Sequence, residues 1–400
     1  MDEPPSPLLK SRIPRKTIIV DLSELFGFGS YDLHCPLRKG IIYYHLNGAI
    51  FEHNIHSSGK HEPRIIVPKH PSRKFVDFSL VPVRGNQILL FAKYFEFTGQ
   101  ILDHFLHLSI HEICPNSRVG PAVWSFNSTC PGDIYHFDLE VINFTENPLA
   151  ITFWARFSDE WKLFDVSTTE TDASDKFPLI EPGRIDFDLK VEWLKWAREN
   201  SLVKLSPDRH ILLTADVEKE RHNETIDIHY SDSGGANFSF VTRISIPIPE
   251  DPEDLDFELL EPKLAFSADG SKFAIAMNDG RVSVWDIRSK VLLKTFIFPQ
   301  NDCFIHYLQF NSGKLGKEVM VFLERDFFSR LDTIHVIDVT SFGTLLLKLE
   351  WLENSGEYNV VHALFFDPSG GTLYAQLDGA LCEWDLQKNK CGPRWWIGEE

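Results

Sequence analysis

The stretch "DGRVSVWDIRSK", residues 279–290, decides how the rest of the chain is read. It runs as a turn, an alternating strand, the pair Trp285-Asp286 and a charged exit. A second stretch, "DGALCEWDLQKN" at residues 378–389, has the same punctuation. Two such copies point to an internal repeat, and a repeat governs the whole fold.

The aspartate of each pair serves as a ruler. Asp286 and Asp385 are the clear marks. "DTIHVIDVTSFG" places Ile337-Asp338 there, and "DEWKLFDVSTT" places Phe164-Asp165. "ETIDIHYSDSG" supplies His229-Tyr230, and "NGAIFEHNIHSSG" supplies His53-Asn54 behind an Asn47-Gly48 turn. The marks at 54, 165, 230, 286, 338 and 385 leave gaps of 111, 65, 56, 52 and 47. The first gap is double, so a further copy is expected near residue 110, where "HFLHLSIHE" alternates through Leu106, Leu108 and Ile110. That makes seven copies.

The upstream halves agree. "LAFSADGSKFAIAMNDG" (264–280), "LFFDPSGGTLYAQLDG" (364–379), "INFTENPLAITFWA" (142–155) and "VKLSPDRHILLTA" (203–215) each read strand, polar turn, strand. A short apolar run such as "LLKTFIF" (292–298) follows each mark. Each copy therefore supplies four short strands, and the class is all-β. Such a unit buries both faces only by stacking on its neighbours. A β-sandwich also satisfies alternation plus turns.

The WD pairs and the "FSADGSKFA" and "FDPSGGTLY" turns resemble WD40 propellers, which implies a seven-bladed WD40-like β-propeller with degenerate N-terminal blades. Residues 264–346 more narrowly resemble a family of fungal WD-repeat proteins that carry a short uncharacterised segment in the C-terminal half. Here that segment falls at about 303–346, with "LQFNSGKLGKEVMVF" as its core. The resemblance implies no particular activity. The chain departs from a well-formed WD40 repeat in having no Gly-His dipeptide. Asp279 and Trp285 suit two places of the usual Asp-His-Ser-Trp network, without evident Ser and His partners. Apolar packing, supported by 32 phenylalanines, is expected to hold the blades.

The chain has 400 residues, 43% of them hydrophobic, and a net charge of −18. It has ample material for a core. It repels phosphate backbones and anionic membranes, although a local basic patch remains compatible with that field. The start lacks a signal peptide's apolar region, and no apolar run is long enough to cross a bilayer. An intracellular protein, cytoplasmic or nuclear, is expected, with its six scattered cysteines reduced. Residues 1–12 read as a flexible tail and 13–400 as one propeller. "KSRIPRK" (10–16) reads as a solvated basic tail rather than a nuclear address.

The strongest metal candidate is "DHFLHLSIHEIC": Asp103, His104, His107, His111, Glu112 and Cys114. On a helix His104, His107 and His111 share a face, whereas on a strand His104 points away from the other two. The repeat spacing favours the strand, so no zinc is expected. His53, His56 and His61 form a weaker cluster. "SGKLGKE" (312–318) lacks the Walker spacing and reads as a β-turn loop, and "GFGS" (27–30) reads as a loop before the first blade. The acidic stretches 249–262 and 172–188 read as solvated linkers. "VEWLKWAREN" (191–200) reads as a short inserted helix whose Trp193 and Trp196 belong to a core.

No catalytic, cofactor or metal residue is assigned. The leading expectation is a non-catalytic scaffold or adaptor for other proteins, without nucleic acid, membrane insertion or cofactor. The alternative is an enzyme or metal-binding protein that uses the propeller's central cavity. Closure is expected from Thr17 to Leu22 joining the sheet of Ala380 to Leu386, with Trp395 and Trp396 over the seam. Removing residues 1–22 should then destabilise the protein, while removing 1–10 should not.

Overall fold

The computed structural model describes residues 8–18, 33–56, 63–72, 74–83, 86–98, 101–114, 118–129, 140–146, 149–156, 160–167, 179–186, 202–208, 210–218, 223–231, 238–247, 263–277, 280–298, 303–311, 313–314, 316–326, 332–348, 360–377 and 380–387. Among them, strands form seven antiparallel sheets. The chain divides into two compact units, Gly29–Pro262 and Met1–Phe28 with Lys263–Glu400.

After β1 (Arg15–Ile18), the first sheet holds β2 (Ile41–Leu46), β3 (Ala49–Asn54) and β4 (Arg64–Val67). The second holds β5 (Lys74–Val83), β6 (Gln87–Thr98), β7 (Ile101–Ile113) and β8 (Val119–Thr129). The third holds β9 (Glu140–Glu146), β10 (Leu149–Arg156), β11 (Glu160–Ser167) and β12 (Leu179–Asp186). The fourth holds β13 (Leu202–Leu205), β14 (Ile211–Glu218), β15 (Asn223–Tyr230) and β16 (Ser239–Pro247). These four lie in the unit Gly29–Pro262.

In the other unit, the fifth sheet holds β17 (Lys263–Phe266), β18 (Lys272–Ala276), β19 (Arg281–Asp286) and β20 (Val291–Ile297). The sixth holds β21 (Cys303–Phe310), β22 (Val319–Asp326), β23 (Asp332–Asp338) and β24 (Thr344–Lys348). The seventh holds β25 (Ala363–Phe366), β26 (Thr372–Leu377) and β27 (Ala380–Asp385), and β1 supplies its fourth strand. Every other strand pairs with its neighbour in sequence. The first sheet has three strands, and a single bridge from His34 to Tyr43 stands where a further strand would pair with β2.

The ruler marks fall in the third strand of the four-strand pattern, counting the His34 bridge in the first sheet. Asp286, Asp338, Asp385, Tyr230 and Asn54 each end their strand, opposite Lys272, Val319, Thr372, Ile211 and Ile41, the first residues of the preceding strands. Asp165 lies two residues inside β11, opposite Thr152. The double gap is filled by β7, in a sheet whose strands run to 10, 12, 13 and 11 residues rather than the short strands expected. Residues 179–186, expected within a solvated linker, form β12 instead. The proposed helix at 191–200, the acidic stretch 249–262, "GFGS" and Trp395-Trp396 lie outside the described residues.

The second strand of a sheet is the one buried on both faces, which explains its unbroken apolar run. On β22, Val319, Val321 and Leu323 join a cluster with Leu373, Ala375, Cys382 and Trp384 of the seventh sheet. The alternate residues Met320 and Phe322 join Ala265, Ala274, Val282 and Val284 of the fifth. In the other unit, Ile88, Leu90, Ala92 and Tyr94 of β6 pack with Ile41, Tyr43 and Ile50, while the intervening Leu89 and Phe91 are also buried.

Four polar residues that directly follow first strands share one job. Ser206, Ser267, Asn311 and Asp367 are buried, and a side-chain oxygen of each accepts the backbone N–H that opens the next strand, at Ile211, Lys272, Val319 and Thr372 (2.9, 2.9, 3.0 and 2.7 Å). Each satisfies an amide at the turn that the ladder leaves over. Inside the turn of the fifth sheet, partial burial raises the Asp269 carboxyl, but hydrogen bonds from Ser271 and Ser267 outweigh it and hold it at about 2. The Asp of the WD-like pair also caps a turn. Asp286 accepts from the Ser289 N–H and hydroxyl at 2.7 and 2.8 Å, and Asp338 from the Thr340 N–H at 2.9 Å. Lys290 and Phe342, each four residues after the mark, take positive φ of 59° and 55°. Asn47 and Gly48, at 52° and 83°, form the tight hairpin between β2 and β3 that their residue types favour.

β1 pairs antiparallel with β27, Arg15 opposite Glu383 through Ile18 opposite Ala380. The strand joins the expected sheet but begins two residues earlier than Thr17 and ends at Ile18, and residues 19–22 of the expected span lie outside the described residues. The contact also extends upstream. Leu8 and Leu9 are buried, Gln387 donates to the Leu8 carbonyl at 2.9 Å, and Trp384 Nε1 donates to the Arg12 carbonyl at 3.0 Å. Leu8 and Leu9 are thus packed into the core, whereas Lys10, Ser11 and Arg12 are exposed. The burial of those two leucines weighs against the expectation that residues 1–10 are dispensable, while residues 1–7 lie outside the described residues. Among the described residues no helix is long and apolar enough to cross a membrane.

Candidate interaction surface

The histidines of the metal candidate lie on β7, a strand, so His104 has the opposite parity to His107 and His111. His107 and His111 contact the same hydroxyl, that of Ser109, at 3.1 and 2.9 Å, and His111 Nδ1 lies 3.0 Å from the Gly120 carbonyl. Burial, joined by the charge of Arg64, lowers the His111 pKa below the usual histidine value. No group of three potential metal ligands forms among the described residues. His53 sits on β3 and His56 in the turn after it, and His61 lies outside the described residues. Cys35, Cys114 and Cys382 are not in disulfides, and the Cys35 thiol donates to the Arg38 carbonyl at 3.2 Å.

The "SGKLGKE" loop is the turn between β21 and β22. Gly313 and Gly316 take positive φ, and Asn311 accepts the Gly313 and Val319 amides. Its Lys317 is buried with Nζ 3.2 Å from Asp338, so its charge is already matched inside the sheet. The arrangement is a turn anchor and not a phosphate cradle.

Two arginine–carboxylate pairs with buried carboxylates, one in each unit, are tied to the backbone of a valine. Arg325 donates through Nε and an Nη to Asp332 at 2.8 and 2.7 Å, directly across β22 and β23. Asp332 also accepts the Val361 N–H at 2.6 Å, and Arg325 donates to the Val361 carbonyl at 2.9 Å. In the other unit Glu52 accepts from Arg64, directly across β3 and β4, from the Tyr43 hydroxyl and from the Val119 N–H, at 3.0, 2.9 and 2.9 Å. Arg64 donates in turn to the Val119 carbonyl. Each pair grips both backbone polar groups of one valine that belongs to, or leads into, the next sheet. Burial and Glu52 push the Tyr43 phenol well up, which keeps it a donor.

Exposed apolar side chains gather on outer strands: Ile65 on β4, Val123 on β8, Phe240 and Val241 on β16, and Leu346 on β24. β20 carries the densest set, with Val291, Leu292, Leu293 and Ile297 exposed at 53, 44, 38 and 71%. Phe296 and Phe298 turn inward onto Phe322, with ring centroids 6.4 and 5.5 Å away. β20 is thus anchored on one side and uncovered elsewhere. In "LLKTFIF" the exposed residues do not differ in type from core residues, because both are aliphatic and alternate along the strand.

No protein-family model matches the chain. No curated protein matches it significantly. Among solved structures the chain is similar to Sqt1 of Saccharomyces cerevisiae, with a TM-score of 0.49 and 11% identity over 89% of this chain and 83% of that one. The class stated here, all-β with antiparallel sheets of three or four strands, rests on the strand order itself.

Proposed function

We propose that the chain is a non-catalytic protein-interaction scaffold: a seven-bladed propeller of the WD40 kind, of the fungal WD-repeat type that residues 264–346 resemble, that works inside the cell and docks other proteins along its outer strands. The observation that carries the docking reading is β20, an outer strand with four exposed aliphatic residues. Contiguous exposed apolar surface of this sort is characteristic of interaction sites. The series of three- and four-stranded antiparallel sheets, with the N-terminal strand completing the last, supports the propeller reading. Matched charges at Lys317, Asp332 and Glu52 fit a structural role for the buried polar groups.

A photo-crosslinking residue at Ile297 tests the docking reading, with one at Ile13, exposed and outside the strands, as the comparison. In cell extract the Ile297 position should capture one dominant protein, and Leu292→Asp in the same chain should abolish that capture. Equal and unspecific capture at both positions would contradict the reading.

A further inference from the structure

The geometry points to strand addition as the docking mode at β20, with an extended partner segment that alternates acidic and aliphatic residues as the occupant. The inference rests on the scaffold reading above and names its partner chemistry.

The backbone supplies the template. β20 ends the order β17-β18-β19-β20, so one edge of its backbone is left over by the ladder among the described residues. A bulge interrupts its pairing between Val284 and Trp285. From Lys294 to Ile297 the register is regular, opposite Val284 back to Arg281. That stretch carries no register shift. Leu293, Thr295 and Ile297 alternate with Lys294, Phe296 and Phe298 along it. An added strand would place every second side chain beside Leu293 and Ile297, where aliphatic residues would cover them, as in recognition by strand addition.

Charge selects the occupant. Arg288 and Lys290 lie exposed in the turn before β20, Lys294 lies exposed within it, and none of the three is ion-paired among the described residues. Elsewhere the outer-strand cation Arg243 of β16 is neutralised by Asp227 at 2.6 Å. In a chain of net charge −18 this is a local basic strip on an acidic molecule. It attracts an acidic strand that the overall field would repel from other surfaces. A second copy of the chain fits poorly. Two β20 strands paired antiparallel about Lys294 would set that lysine opposite itself, and like charges directly opposite are destabilising. Lysine on an edge strand is a general obstacle to self-pairing.

The test uses the full-length protein and three blocked octapeptides: alternating Glu and Ile, alternating Lys and Ile, and the Glu–Ile peptide with a central Pro. Binding is followed by fluorescence anisotropy, and the location by hydrogen exchange over residues 291–298. The Glu–Ile peptide should bind, slow exchange across 293–297 and lose affinity as salt rises. The Pro peptide should fail, because it cannot complete the ladder. Lys294→Glu should weaken the Glu–Ile peptide by roughly tenfold and favour the Lys–Ile peptide. Its melting temperature should match that of the parent, since Lys294 is exposed. Equal binding of the Glu and Lys peptides, or saturation without protection of 293–297, would overturn the inference. So would concentration-dependent protection of β20 in the free protein, which would make the occupant a second copy. Crosslinking from Ile297 to one dominant partner without strand protection would remove strand addition alone. Loss of both signals would remove the scaffold reading as well.

Discussion

The two compact units solve the same problem with different residues. In each, a carboxylate on a third strand and an arginine directly across from it hold the N–H and C=O of a valine in or before the next sheet. Asp332 is fully buried and receives a bidentate Arg325. Glu52 receives a single Arg64 nitrogen, and Arg64 Nε is left without a hydrogen-bond partner. A neutral histidine stands beside each arginine. Burial, reinforced by Arg325, pushes His306 down to about 4, and burial with Arg64 lowers His111. The difference teaches that a repeat can conserve a physical task while changing the residues, their order and the strands that supply them. Breaking a buried pair strands its surviving partner, which is costly.

The comparison predicts unequal costs. Asp332→Ala should destabilise by about 4 kcal/mol and Glu52→Ala by about 3 kcal/mol, read from chemical denaturation. Equal or reversed values would break the ranking of the two clamps. Removing residues 1–10 should cost about 3 kcal/mol through the lost burial of Leu8 and Leu9. An unchanged melting curve would show that those leucines are not part of the core.

The histidine beside Arg325 predicts a pH effect. His306 is neutral in the fold down to about pH 4, while an unfolded histidine takes a proton near 6.5. Its contribution is therefore complete above about pH 6.5, declines as pH falls from there towards 4, and levels off below. The loss should reach roughly 3 kcal/mol, and His306→Asn should flatten that part of the stability profile. An equal slope in the variant would assign the effect to other groups. The smallest effect belongs to the turn anchors. Ser206→Ala and Ser267→Ala should each cost about 1 kcal/mol, one hydrogen bond to a strand-opening amide apiece. A cost in one unit but not in the other would show that the anchor is not a shared device.

The strand ends were legible because turn chemistry is local. Asn47-Gly48, the Ser267 and Asp367 turns and the caps at Asp286 and Asp338 each act within a few residues. The clamps were not legible, because Glu52 and Val119 stand 67 residues apart and nothing near either one marks the other. Trp285 and Trp384 show the limit of a motif. Both sit at the same register position, opposite the second residue of the preceding strand. Trp384 Nε1 reaches the Arg12 carbonyl, whereas Trp285 Nε1 is buried without a partner and its ring stacks on Phe273. Length misled in the second sheet, where long strands carry the mark away from the usual spacing. The burial of Leu8 and Leu9 was hidden in a stretch whose prolines and charges read as a tail.

The central claim is that the sheets form one series whose last member is completed by the start of the chain. Without β1, the seventh sheet would present β27 as an open edge, a liability in a rigid scaffold. Lys16 stands directly opposite Cys382 in the register, so Lys16→Cys offers a cross-strand disulfide test. Directly opposed strand residues lie within the Cα separation that a disulfide requires. Mild oxidation followed by proteolysis and mass spectrometry should recover one linked peptide joining positions 16 and 382, formed within a single chain. Free thiols at both positions, or a link from position 16 to another cysteine, would contradict the pairing and the account built on it.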